Sequence, residues 1–150
     1  MGQIVVVNNA SEEALAAATA ESILKVIAPS TQELEILAWG VSFDGVSPTA
    51  EPVQVQLVRY SDAGTWSTTV TPVKWNPSTS AAIQSTAKED CTVEPTVSAV
   101  LDYQEVHPQG GTKEFYPIGE APVIAASGGV GIKCTAPAAV NVVGHIRFRE

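Results

Sequence analysis

His107 and His145, with Cys91 and Cys134, are the side chains that would first be asked to do chemistry in this chain. A metal site would have to be assembled from these four. None of the close spacings that hold two ligands on one turn or knuckle is present. A cysteine–histidine nucleophile pair meets in space rather than in sequence, so spacing alone does not remove it. Cys91, however, follows Glu89-Asp90, whose negative charge raises a thiol pKa, and Cys134 falls within a strand pattern. Both read as small, half-buried hydrophobes rather than as a disulfide. The carboxylate pairs Glu12-Glu13 and Glu89-Asp90 lie in polar stretches that read as solvated surface rather than acid–base machinery. No catalytic residue, metal site or cofactor is expected.

The glycine cluster Ser127-Gly128-Gly129-Val130-Gly131-Ile132-Lys133 raises the question of phosphate binding. A phosphate loop needs Gly-Lys adjacent and then Ser or Thr; here Ile132 intervenes and Cys134 follows. Gly129 and Gly131 lack the third glycine of a dinucleotide fingerprint, and no helical pattern follows them. The cluster is expected to be a Gly-Gly hairpin turn entering a strand. His107-Pro108-Gln109-Gly110-Gly111 is different: polar residues held by a proline, released by two glycines, next to Phe115 and Tyr116. It has no second titratable partner nearby, and aromatic anchors on a constrained turn are what protein interfaces use. Tyr103, His107, Phe115 and Tyr116 are therefore the expected subunit-interface residues.

The elements that must position these residues are strands. Val53 to Leu57 alternates apolar with polar, as does Val142 to Arg149, where Val142, Ile146 and Phe148 face one way and His145, Arg147 and Arg149 the other. Leu34 to Phe43 is apolar on both faces, so it should be central or covered by a neighbouring subunit, and Asp44-Gly45 should end it in a turn. Ile4 to Val7, Ser22 to Ala28, Trp66 to Val70, Val97 to Val106, Val123 to Ala125 and Gly131 to Thr135 are further strand candidates. Ser11-Glu12-Glu13 ahead of an alanine-rich stretch looks like an N-cap and first turn, giving at most a short helix. Short strands punctuated by turns mean a sandwich or barrel. The long connections around Pro72 to Ala87 and Gln109 to Gly119 favour an all-β, two-sheet jelly roll spanning residues 1–150 as one domain.

Ile4-Val5-Val6-Val7 has no turn partner close in sequence, so its edge must be paired elsewhere. Either it is the first strand of its own sheet, or residues 1–10 form an extended arm that augments a neighbour.

The bulk numbers narrow the partners. At 150 residues, 45% apolar and 16% charged, the chain is a folded domain, and no apolar run is long enough to span a membrane. A net charge of −8 with only eight scattered Lys and Arg argues against nucleic acid. MGQIVVVNNAS lacks the features of a signal peptide, so no export is expected and the Asn9-Ala10-Ser11 sequon reads as chance.

The segments ILKVIAPS, LAWGVSFDG, EPVQVQLVR, TPVKWNP, VHPQGG, FYPIGE and GVGIKCTAPAAVNVVGHIRFRE resemble small proteins encoded among the structural genes of tailed bacteriophages, several of which decorate, or cement, the head. The resemblance covers roughly residues 23–149, and none of its pieces is an active-site signature. It implies a jelly-roll homotrimer on the outer surface of the capsid, clamping the major capsid protein, made in the bacterial cytoplasm and carried in the virion. Ile4, Val5, Val6 and Val7 would then be the capsid contact. The competing expectation is a carbohydrate- or receptor-binding jelly roll using Trp39, Trp66 or Trp75 as platforms; an enzyme comes third.

Overall fold

In the computed structural model, which describes residues 2–78 and 80–150, every regular element is a β-strand. Chain order runs β1 (Ile4–Asn8), β2 (Glu13–Leu15), β3 (Ala20–Ile27), β4 (Leu34–Phe43), β5 (Val53–Tyr60), β6 (Thr65–Val70) and β7 (Val73–Lys74). It continues with β8 (Thr86–Val93), β9 (Val97–Val106), β10 (Gly111–Phe115), β11 (Val123–Ile124), β12 (Gly129–Thr135) and β13 (Val140–Arg149). The first sheet has the order β10-β4-β13-β1-β7, with β11 also on β4 and β2 also on β13. The second has the order β6-β8-β3-β12-β5-β9. All strand pairs are antiparallel.

The protein is thus an all-β sandwich of two packed antiparallel sheets. The chain crosses repeatedly from one sheet to the other: β3 to β4, β4 to β5, β9 to β10, β12 to β13. That alternation, with β13 inserted between β1 and β4 and β12 between β3 and β5, is compatible with a jelly roll. The β6 and β8 strands add an edge beyond β3, and β7 adds one beyond β1.

Alternation explains most of the core. In β13, Val142, Ile146 and Phe148 are buried while His145, Arg147 and Arg149 keep partial exposure on the outer face. The apolar β4 lies between β10 and β13, and its pairing steps from Ile36↔Phe148 to Ala38↔Arg147, leaving Leu37 as an inserted residue. The bulge lets Ile36, Trp39 and Val41 all point into the sandwich, and puts the small Ala38 and Gly40 opposite the outward Arg147 and His145. A central position with small outer residues accounts for the two-faced apolar pattern, so this strand needs no neighbouring subunit to cover it.

One alternative falls away and two expectations are corrected. Of the two readings of Ile4–Asn8, a strand of its own sheet is the one found and the arm is not: β1 pairs along its length with β13 and on its other edge with β7, and Val5 and Val7 are core residues. Only Ile4 and Val6 turn toward the outside, so the run does not offer four residues to a capsid. The expected short helix near the N-terminus is instead β2, held to Asn141 and its neighbours on β13, because Leu15 gains full burial there. The Gly-Gly segment is not a hairpin, since β11 and β12 lie in different sheets; Ala125 to Gly128 make a turn between them, with Ser127 at φ 63°. Met1, in the expected arm, and Thr79, in the long connection after Pro72, lie outside the described residues.

Candidate functional site

The glycine cluster serves packing. Strand β12 is inside the second sheet, flanked by β3 and β5, so its backbone is engaged in ladders rather than free to cradle an anion. A Cβ on Gly131 would lie 2.7 Å from Tyr60 Cε2, and one on Gly129 would lie 2.7 Å from Lys25 Cε. Two glycines therefore clear the sheet's outer face for two large side chains. Lys25 Nζ donates to Asp62 O and Ala63 O, each at 2.9 Å, and Tyr60 OH donates to Ser22 Oγ at 2.7 Å. Ser22 Oγ in turn donates to Glu94 Oε2 at 2.6 Å, and Lys133 Nζ lies 3.3 Å from the same oxygen. Burial holds the Tyr60 phenol above and the Lys25 ammonium below their ordinary pKa values. Both are structural members of one satisfied network.

The other chemical candidates are dispersed. Cys134 is fully buried on β12, Cys91 is half-buried on β8, and both are free thiols. Burial, then the charge of Glu94, pushes the Cys91 thiol up to about 12, so it is no nucleophile at neutral pH. His107 is exposed in the β9–β10 turn, where its Nδ1 accepts a hydrogen bond from Gln109 N at 3.2 Å; His145 is on the outer face of β13. Among the described residues no group of three His, Cys, Asp or Glu is placed to hold a metal ion.

Glu89 departs from the solvated surface expected of it. It is buried, and its Oε2 accepts from Asn9 Nδ2 at 3.0 Å and Ala10 N at 2.8 Å. Glu13 stands beside it with its pKa raised to about 8, first by burial and further by Glu89, Asp90 and Glu21, against a lowering backbone hydrogen bond from Asp90. Asn9 itself is buried and bonded through both amide atoms.

Of the expected interface residues, Tyr116 turns inward, its hydroxyl accepting from Trp39 Nε1 at 3.1 Å and donating to Asp102 at 3.3 Å. Tyr103 is exposed on β9 of the second sheet, His107 sits on an end loop, and Phe115 is on β10 of the first sheet. The four do not form one patch. The three tryptophans are dispersed as well: Trp39 is in the core, Trp66 is on β6 of the second sheet, and Trp75 follows β7 of the first.

What the fold assembles instead is a ridge on the outer face of the first sheet. The Arg147 guanidinium lies 4.9 Å from the Trp75 ring centre and 5.3 Å from that of Phe115, and Lys113 Nζ lies 5.0 Å from Phe115. Trp75 is 58% and Phe115 51% exposed. Beside the ridge a hollow of about 420 Å³ is lined by Asn8, Ser42, Thr112, Lys113 and His145. Burial, with Lys113 and Arg147 nearby, lowers the His145 pKa, and its Nε2 is buried without a hydrogen-bond partner. The outward direction of Arg147 was legible from alternation. Its meeting with Trp75 and Phe115 depends on strands far apart in sequence.

No protein-family model matches the chain, and neither a curated protein nor a solved structure matches it.

Proposed function

We propose that the chain is a non-enzymatic viral structural protein: a homotrimeric decoration, or cement, subunit that binds the major capsid protein on the outer surface of a tailed-phage head and stabilises it. The observation that carries this is the ridge on the first sheet, where half-exposed Trp75 and Phe115 both lie against the Arg147 guanidinium. Tryptophan and arginine are enriched where protein interfaces concentrate their binding energy. Closed rotational symmetry is the usual way to cover such a surface, which favours the oligomer. The capsid as partner rests on the resemblance of segments such as WGVSFDG, VHPQGG and GIKCTAPAAVNV to phage structural proteins.

The test is add-back to stripped heads. A subunit that binds only the assembled lattice stabilises it by mass action, about 2.7 kcal/mol per independent site at a hundredfold excess over the dissociation constant. Heads lacking the protein should rupture at lower temperature than decorated heads, and purified protein should restore resistance in a saturable way. Equal rupture thresholds would overturn the cement role.

A further inference from the structure

Two surfaces of this molecule are unmatched within it, and they are opposite in sign. On the outer face of the first sheet, Arg147 and Lys113 lean on aromatic rings rather than on carboxylates. Where β2 of one sheet faces β8 of the other, Glu12, Glu13, Glu21 and Asp90 border a recess of about 350 Å³. Among the described residues, ion pairs join Lys133 to Glu94 and Arg149 to Glu35. Neither the two ridge cations nor Glu12, Glu21 and Asp90 takes part in one, while Glu13, with its pKa raised to about 8, adds little charge to the rim of the isolated chain.

We infer that the ridge of Lys113, Phe115, Arg147 and Trp75 receives the acidic β2–β8 rim of a second copy of this chain, in a head-to-tail contact. The inference rests on the homotrimer proposed above and names the surfaces that would build it. A ring of three copies needs heterologous contacts, in which two different patches of the same molecule meet, and a basic patch with an acidic patch elsewhere supplies such a pair. Charge complementarity also chooses the occupant: a neutral glycan stacked on Trp75 would leave both cations without counter-charge, whereas the rim brings carboxylates. The ridge is pre-ordered for this. A guanidinium already stacked between two rings loses little further freedom when a carboxylate engages its edge. The adjoining hollow offers the exposed Lys113 to a second acidic side chain.

The experiment is sedimentation of the full chain at micromolar concentration, with circular dichroism as the fold control. Wild type should be a trimer. Arg147→Glu should raise the dissociation constant roughly tenfold or more, because it sets like charges against each other across the contact. Glu12→Lys, at an exposed rim position, should do the same. The double variant Arg147→Glu/Glu12→Lys, with the charges exchanged, should recover assembly, which a merely structural role for either residue would not produce. Should Arg147→Glu fail to fold, Lys113→Glu takes its place, since Lys113 is exposed. A wild-type trimer indifferent to Arg147→Glu and Lys113→Glu would overturn the ridge while leaving the trimer intact. Failure of the exchanged double variant to recover would overturn the rim as its complement. A wild-type monomer would overturn both this contact and the trimer, with capsid attachment still judged separately by add-back.

Discussion

Asn9 and Glu89, eighty positions apart in the chain, clasp the two sheets together: Asn9 Nδ2 donates to Glu89 Oε2 at 3.0 Å and to Ile23 O at 2.8 Å, while Asn9 Oδ1 accepts from Gly144 N at 2.8 Å. One buried amide thus satisfies a carboxylate and a carbonyl on the second sheet and a strand amide on the first.

Removing that amide leaves partners on both sheets short of hydrogen bonds. Asn9→Ala should cost about 2–3 kcal/mol, the scale of losing hydrogen bonds to a buried charged group, read as a lower urea midpoint with unchanged slope. Deletion of residues 2–9 should go further and unfold the domain, because it also removes Val5 and Val7 from the core and a partner from β13. A folded deletion variant would show that β1 is dispensable after all.

Gly131 should prove sterically rather than chemically essential. Gly131→Ala places a methyl group against Tyr60 and the Leu24 carbonyl, so overpacking should destabilise by about 1–3 kcal/mol. Shortening one of the two obstacles should lessen it in part: Tyr60→Leu should destabilise wild type, yet reduce without abolishing the penalty of Gly131→Ala in a double-mutant cycle, because the Leu24 carbonyl stays in place. Added phosphate or nucleotide should leave the melting temperature of wild type unchanged.

The thiols should be inert and unpaired. Cys134 is fully buried and Cys91 has its pKa pushed up to about 12, so a disulfide-exchange reagent should label the native protein slowly and the unfolded protein fast. Reducing agent should leave the melting temperature where it is. A fall of many degrees on reduction would reveal a bond between the two cysteines.

Alternation made the strands legible, because apolar periodicity reports which face a residue takes and needs no knowledge of its neighbours. Val142 to Arg149 is the clear example: its inward and outward residues fall as the pattern dictates. Short polar strands carry no such signal. β8 and β10 form because β3, β6 and β4 offer them open edges, and an alanine-rich acidic stretch becomes β2 because β13 is there to pair with it. The ridge was hidden for a related reason. Trp75, Phe115 and Arg147 are each ordinary in sequence, and only strand order brings them together.

Glu13 should make stability fall as pH rises through neutrality in the dissociated protein. In the folded chain its pKa is raised to about 8 from the ordinary 4.5, chiefly by burial, with Glu89, Asp90 and Glu21 adding to it. Below both values the side chain is protonated whether folded or not, and it contributes no pH dependence. Between them the unfolded chain releases a proton that the folded chain retains, so the unfolded state is favoured more at each step upward, and above about 8 the loss is complete. Glu13→Gln, which cannot ionise, should therefore leave the melting temperature nearly unchanged at pH values below the ordinary carboxylate range and raise it increasingly toward pH 8. The comparison should be made at concentrations too low for assembly, since a neighbour's cations at the rim would favour the ionised carboxylate and shrink the difference. Equal effects of the substitution at acidic and alkaline pH would show that folding leaves the Glu13 pKa unshifted, and that the rim is better solvated than its burial implies.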